Sequence, residues 1–266
     1  MPFAIILAAH GSLRADVQAA TDALAGRVRT AHPDARVALA STSAHVRRRL
    51  AEQGRDADGP AEALDRLAAE GHRRVVLQSL HIAPGEEYHN LLELARRRTE
   101  AGQFDRIEVG FPLLGGEPGL DRAAGALLAA LPKPEAGEAV VLMGHGTAHP
   151  GRAFYTGLDE KLRASGARVV LGVMEEEPGS GLGLDDVLAR LAADGVTRAV
   201  LVPLLFGAGF HAQVDMAGDA PGSWKSRLED AGIAVRTVLR GVGQHEALAD
   251  VWLEHLAEAA ARLERD

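Results

Sequence analysis

Short apolar runs alternate with longer amphipathic stretches along the chain. Four runs rich in Val, Ile and Leu occur in its first part, within 4–13, 35–43, 67–80 and 106–115. They are apolar at consecutive positions, which is typical of strands covered on both faces of a sheet. The stretches between them, such as 15–31 and 57–71, predict helices, and Pro60 suits a first helical turn. This alternation indicates parallel βαβ units with right-handed crossovers.

The same pattern occurs a second time. AIILAAHGSL (4–13) returns as AVVLMGHGTA (139–148), and three further runs follow in the same order, within 167–175, 191–204 and 234–243. The offsets between equivalent runs stay between 124 and 135 residues. Such self-similarity is the signature of a duplicated unit. The predicted fold is α/β, with two pseudo-symmetric flavodoxin-like halves, each a parallel sheet flanked by helices, and a cleft between them.

The boundary between the halves is predicted in LPKPEAGEA (131–139), because two prolines and a glycine interrupt the periodic pattern there. This gives an N-terminal half at 1–133 and a C-terminal half at 134–266 that carries the metal site. Two long amphipathic stretches, 119–131 and 245–266, occupy equivalent places at the ends of the two halves.

The amino-acid composition of the chain argues against several classes of function. The chain has 266 residues, 47% hydrophobic and 25% charged, and a net charge of −8, which argues against a general nucleic-acid binder. It contains no cysteine, so disulfides, thiolate metal sites and cysteine nucleophiles are excluded. No run of 18 apolar residues suggests a membrane span, and the N-terminus reads as a strand and not as a signal peptide. We expect a cytoplasmic protein without nucleic-acid or membrane partners.

Candidate chemistry lies where the strands end, because ligands of open parallel sheets bind beyond the carboxyl ends of the strands. In the first half these positions are His10, Ser43 and Glu87. Their equivalents in the second half are His145, Glu175 and His211. Two imidazoles and a carboxylate suit divalent Co, Fe, Ni or Zn with coordination positions left open. The second half therefore predicts a metal site.

Other motifs leave alternatives open. Ser12 and Thr147 follow their histidines at equivalent positions and could be helix N-caps or hydrogen-bond donors to a substrate. His10 could bind metal or contact substrate. Neither GxGxxG nor GxxxxGK[ST] occurs in the required context, and no GxSxG elbow is present, so nucleotide and serine-hydrolase sites are weakly supported.

Four longer stretches carry a family resemblance: LQSLHIAPGEEY (77–88), VLMGHGTAH (141–149), GVMEEEP (172–178) and AGFHAQVDMAGDAPGSWKSRLEDAGI (208–233). Through them the chain resembles the class II tetrapyrrole chelatases, and among these the anaerobic cobalt chelatases of cobalamin synthesis. The resemblance implies that His145, Glu175 (or its neighbour Glu176) and His211 bind the metal. It also implies that Glu87 contacts the substrate or a second metal.

His10 departs from this pattern. The long cobalt chelatases are expected to carry another residue at this position, whereas AAHGS is similar to the single-domain chelatases, which use histidine there.

The implied reaction is insertion of Co(II) into sirohydrochlorin with loss of two pyrrole protons, without a nucleotide or organic cofactor. In this scheme His145 is both ligand and proton acceptor, since neutral imidazole suits both roles near pH 7, and Glu87 accepts the second proton. The polyanionic substrate needs local hydrogen-bond donors and cations. The candidate cations are Arg14, Arg152 and Lys225, and the other predicted substrate contacts are His10, Ser12, Glu87 and Thr147.

Two rival functions share the same sequence features. One is a sirohydrochlorin ferrochelatase for sirohaem synthesis, because metal preference depends on geometry and supply more than on ligand type. The other is a non-enzymatic carrier of tetrapyrrole or metal. A homo-oligomer is compatible with the sequence.

Overall fold

The computed structural model describes residues 3–116, 119–148, 150–176 and 179–265. The chain forms two compact units, one of Met1–Gly116 with Ala249–Asp266 and the other of Glu117–Leu248. We call them unit 1 and unit 2.

Unit 1 contains one parallel four-stranded sheet. Its strands are β1 (Ala4–Ala9), β2 (Arg36–Ser41), β3 (Arg74–Ser79) and β4 (Arg106–Gly110), in the order β2-β1-β3-β4. Its helices are α1 (Ala15–Ala31), α2 (Ala44–Glu52), α3 (Pro60–Ala69), α4 (Glu86–Glu100) and most of α9 (Glu246–Glu264). β1 is buried along its whole length, as expected of a central strand covered on both faces.

Unit 2 repeats this arrangement. Its strands are β5 (Glu138–Gly146), β6 (Val169–Glu175), β7 (Arg198–Leu204) and β8 (Ala234–Thr237), in the order β6-β5-β7-β8. Its helices are α5 (Gly119–Ala130), α6 (Ala153–Ala164), α7 (Leu184–Ala193) and α8 (Trp224–Asp230), with a π-helical turn over Ala212–Met216. The eight strands coincide with the eight apolar runs, so the predicted duplicated α/β fold is confirmed.

The division of the chain differs from the predicted boundary at 133. The chain passes from unit 1 to unit 2 before α5 and returns within α9, so each unit includes the terminal helix expected in the other half. Packing explains the exchange. Leu120 of α5 lies against Gly157 of α6, and Lys161 pairs with Asp121 at 2.5 Å.

α9 is bound to unit 1 by burial and by hydrogen bonds. The Trp252 indole N–H donates to the carbonyl of His81 at 3.3 Å, and Arg262 bonds Glu108 at 3.1 Å. Trp252 is almost completely buried. Sequence pattern shows that α5 and α9 are amphipathic, but not which sheet covers the apolar face of each.

Each unit has its own apolar core. The core of unit 1 packs β1 and β3 residues such as Ile6 and Leu77 against Leu64 and Leu67 of α3. The core of unit 2 packs Val141 and Leu201 against Leu191 of α7. Among the described helices, none combines the length and apolar character that crossing a bilayer requires.

Candidate metal and proton-transfer site

The repeated His-Gly step is built in the same way in both units. Gly11 follows His10 with φ +93°, and Gly146 follows His145 with φ +86°, values that side-chain-bearing residues rarely adopt. A Cβ at Gly146 would lie 2.1 Å from the backbone oxygen of Glu175. Only glycine therefore lets the end of β5 approach β6 so closely, and this approach brings His145 and Glu175 side by side.

Three of the predicted site residues meet in unit 2. The rings of His145 and His211 lie edge to face with centroids 5.0 Å apart. The Nδ1 of His145 is 3.7 Å from Oε2 of Glu175, too far for a hydrogen bond but close enough for both to face one ion. All three side chains are at least 40% exposed.

Asp215 orients one of these imidazoles. It lies one turn after His211, within the π-helical turn, and its Oδ2 is 2.7 Å from Nδ1 of His211. Because Nδ1–H donates to the carboxylate, Nε2 keeps its lone pair, as in many metal-binding histidines. Across the described residues, no three His, Asp or Glu side chains are already gathered as a finished metal site. Binding an ion here therefore requires the side chains to converge on it.

A small cavity adjoins the cluster within unit 2. It has a volume of about 150 Å³ and is lined by Thr147, Arg152, Glu175 and Ser180 among others. Of the two candidate glutamates, Glu175 is the one beside His145, whereas Glu176 lies 3.5 Å from the hydroxyl of Ser180.

An exposed apolar surface also borders the cluster. Phe210 is 69% exposed, and its ring meets His211 edge to face with centroids 5.7 Å apart. Val214, one turn further on, is exposed too. An exposed aromatic ring beside the imidazole of His211 suits contact with a flat apolar ligand.

Unit 1 holds a different cluster, centred on Glu87 near the N-terminus of α4. The Oε1 of Glu87 is 3.0 Å from Nδ1 of His10 and 2.7 Å from the hydroxyl of Thr42. Its Oε2 is 3.1 Å from Nε2 of His81. His81 is in turn 2.8 Å from the hydroxyl of Ser79. These residues come from the carboxyl ends of β1, β2 and β3.

The cluster changes the proton affinities of its members. Burial alone would raise the pKa of Glu87, but hydrogen bonds from His10, His81 and Thr42 outweigh it and hold that pKa well below the ordinary range. The hydrogen bond to Glu87 raises the pKa of His10 above its ordinary value of 6.5, against the opposing effect of desolvation. The carboxylate is therefore a weak base and the imidazole a stronger one, which does not favour Glu87 as a proton acceptor.

The other predicted contacts have local partners. Ser43 caps α2 by accepting from the backbone N–H of Val46. Ser12 is not the N-cap of α1, which is Arg14, and its hydroxyl accepts from the Arg14 N–H at 3.2 Å.

Two of the predicted cations are paired with carboxylates. Arg14 forms two hydrogen bonds to Asp16, at 3.0 and 3.1 Å, and Lys225 pairs with Asp219 at 2.7 Å. Part of their charge is thus neutralised. His149, next to the loop of unit 2, lies outside the described residues.

Sequence reasoning missed His81 and Thr42. His81 stands two residues beyond β3, in QSLH, and so follows the same strand-end rule that selected Glu87. Its equivalent in unit 2 is Leu205, so the comparison of the two halves gave no reason to select it.

Comparison with known proteins supports one family. A family model described as Cobalt chelatase (CbiK) matches residues 3–261. Sirohydrochlorin cobaltochelatase CbiKC of Nitratidesulfovibrio vulgaris is 41% identical over 263 residues, which cover 98% of this chain and 91% of that protein. The sirohydrochlorin cobaltochelatase of Salmonella typhimurium is 36% identical over 228 residues, which cover 85% of this chain and 84% of that protein.

Solved structures support the fold. SirB from Bacillus subtilis with Fe3+ superposes with a TM-score of 0.66 at 18% identity, covering 99% of this chain and 98% of that one. SirB from Bacillus subtilis subspecies spizizenii in complex with cobalt gives a TM-score of 0.63 at 16% identity, covering 98% and 97%. At this identity the likeness concerns the two-unit architecture alone.

Proposed function

We propose, from the premise that this chain belongs to the cobalt chelatase (CbiK) family, that it inserts Co(II) into sirohydrochlorin with release of two protons. The chain is thus a metal chelatase, a lyase acting in anaerobic cobalamin biosynthesis. The observation that carries the proposal is the exposed group of His145, Glu175 and His211 in unit 2.

The chemistry of these side chains fits delivery of a metal ion. Three protein ligands leave coordination positions open, so the ion can pass to the pyrrole nitrogens of the substrate. Glu175 lowers the charge of the bound cation, and Asp215 keeps the Nε2 of His211 available. His145 accepts a pyrrole proton once the metal begins to leave it. The reaction needs no redox change and no nucleotide or organic cofactor.

The surroundings fit a flat polyanion. Phe210 and Val214 present apolar surface to the face of the macrocycle.

The test is anaerobic absorbance spectroscopy of sirohydrochlorin with Co(II) and trace protein. We expect many turnovers by the wild type, none above background by a His145→Ala, His211→Ala double variant, and normal turnover by His45→Gln, an exposed surface control. Binding of substrate without turnover would instead indicate a carrier. Faster turnover with Fe(II) than with Co(II) would indicate a ferrochelatase.

A further inference from the structure

A chain of hydrogen bonds runs through the cluster of unit 1 and fixes the proton positions along it. Ser79 lies at the end of β3 and contacts Nδ1 of His81 at 2.8 Å. A carboxylate only accepts hydrogen bonds, so the Nε2 of His81, 3.1 Å from Oε2 of Glu87, carries the proton. In the neutral ring the Nδ1 of His81 then accepts from the hydroxyl of Ser79. Thr42 donates to the other carboxylate oxygen.

This arrangement determines the state of His10. A carboxylate only accepts hydrogen bonds, so the Nδ1 of His10, 3.0 Å from Oε1 of Glu87, carries its proton. In the neutral ring the lone pair is then on Nε2. The side chain of His10 is 61% exposed, and within the described residues its Nε2 has no hydrogen-bond partner. The result is a basic nitrogen that faces outward, backed by a fixed carboxylate, as general bases are commonly built.

We propose that His10 accepts one of the two pyrrole protons, and that Glu87, His81 and Ser79 are positioning residues that hold its imidazole in the reactive tautomer. This inference rests on the proposed chelatase function. It assigns the second proton to His10 and leaves Glu87 as the group that orients and stabilises the imidazolium.

The proton transfer balances without a co-reactant. The pyrrole N–H bond breaks, its electron pair stays on nitrogen and becomes available to the metal, and the proton bonds to Nε2 of His10. The imidazolium formed lies against the Glu87 carboxylate, which stabilises it by a charge-assisted hydrogen bond. His10 returns the proton to water after the product has left.

Glu87 itself is poorly suited to take this proton. Both of its oxygens already accept hydrogen bonds, from His10 and Thr42 on one and from His81 on the other. The opposite pKa shifts of Glu87 and His10 agree with this assignment. The guanidinium of Arg47 bonds the backbone oxygens of Ser41 and Thr42, next to the cluster in the chain.

The first experiment compares kcat against pH for the wild type, His10→Gln, Glu87→Gln and the control His45→Gln. His45 is also an exposed histidine of unit 1, but it contacts Arg48 and none of the cluster. We expect His10→Gln to lower kcat about 100-fold, the lower end of the range for loss of a general base.

The pH dependence identifies the group. His10 must be unprotonated to act, so kcat falls as the pH drops below its pKa. Since Glu87 raises that pKa, Glu87→Gln should move this limb to lower pH while also lowering the plateau. Unchanged kcat and an unchanged limb in His10→Gln, with the wild type active, would overturn the inference. An inactive wild type would instead contradict the proposed function.

The second experiment needs neither metal nor substrate. NMR of protein labelled at the histidine ring nitrogens, with the His10 signals assigned through His10→Gln, reports tautomer and pKa directly. We expect neutral His10 to carry its proton on Nδ1 and its pKa to fall in Glu87→Gln. A neutral ring protonated on Nε2, or a pKa unaffected by Glu87→Gln, would contradict the positioning roles.

Discussion

The two units place similar side chains at similar strand ends, yet the carboxylate is tightly hydrogen-bonded in one cluster and not in the other. In unit 1 the carboxylate of Glu87 lies within 3.1 Å of two imidazoles and accepts three hydrogen bonds. In unit 2 the carboxylate of Glu175 stays 3.7 Å from His145, beyond hydrogen-bond distance. The first arrangement suits the holding of a proton, and the second suits the capture and release of an ion.

The difference follows from where each unit carries its acidic side chain. In unit 2, Glu175 ends the second strand, and His211 stands in the loop after the third. In unit 1 these positions are held by Ser43, which caps α2, and by Glu87. A carboxylate in the third loop can be reached by donors from several strand ends, whereas one at the end of the second strand is not.

The largest expected effect is a loss of stability when a buried side chain of α9 or α5 is removed. Trp252→Ala should destabilise the protein by about 3–5 kcal/mol, because it removes a fully buried indole. Hydrogen exchange should then accelerate in unit 1, where Trp252 bonds His81, and not in unit 2. Leu127→Ala, in the buried face of α5, is the matched change for unit 2. Faster hydrogen exchange in unit 2 for Trp252→Ala, or in unit 1 for Leu127→Ala, would contradict the assignment of α9 to unit 1 and of α5 to unit 2.

The two His-Gly turns should differ in their tolerance of a side chain. Gly146→Ala places a Cβ 2.1 Å from a backbone oxygen, whereas Gly11→Ala places one 2.3 Å from the hydroxyl of Ser41, which can rotate away. Because a positive φ is strained for alanine at both positions, we expect the free energy of unfolding to fall by about 3 kcal/mol for Gly146→Ala and about 1.5 kcal/mol for Gly11→Ala. Thermal unfolding measures both, and equal losses would mean that the backbone at Gly146 shifts readily.

The hydrogen bond between Asp215 and His211 should increase the affinity of the protein for metal. Asp215→Asn removes the charge that orients the imidazole, so we expect Co(II) to bind about 10-fold more weakly, the lower end for such a partner. Calorimetric titration with Co(II) alone checks this. Asp185→Asn, a change at an exposed carboxylate paired with Arg227, is the control and should leave the affinity unchanged. Equal affinities for all three proteins would separate His211 from metal binding.

The smallest effect is a pH-dependent stability in unit 1. The depressed pKa of Glu87 stabilises the fold above its ordinary value of 4.5, and this contribution is lost as the pH falls towards the folded pKa. The raised pKa of His10 stabilises the fold below 6.5, and this contribution is lost as the pH rises through the folded pKa.

The pair therefore contributes most between these two values. Because both side chains are partly exposed, we expect Glu87→Gln to cost only about 1 kcal/mol in that window and less on either side. Denaturant unfolding at several pH values measures the cost. If Glu87→Gln lowers the free energy of unfolding by the same amount from acid to alkaline pH, the cluster stabilises the fold by packing alone.

Most of the architecture was predictable from the chain itself. Runs of consecutive apolar residues are typical of buried parallel strands, and all eight became strands. The repeated His-Gly step indicated a duplicated unit, and the step occurs at the end of the first strand of both units. The strand-end rule also selected His145, Glu175 and His211, because parallel strands end on one edge of their sheet.

Tertiary structure decided what depends on distance in space. Which sheet α5 and α9 cover follows from the partners of Leu120 and Trp252, which amphipathic patterns do not specify. The proton state of His10 depends on Glu87, which is 77 residues away, and through it on His81 and Ser79. Periodicity reports which face of an element is buried, whereas a hydrogen bond depends on positions to within a few tenths of an ångström, and only the folded chain sets these.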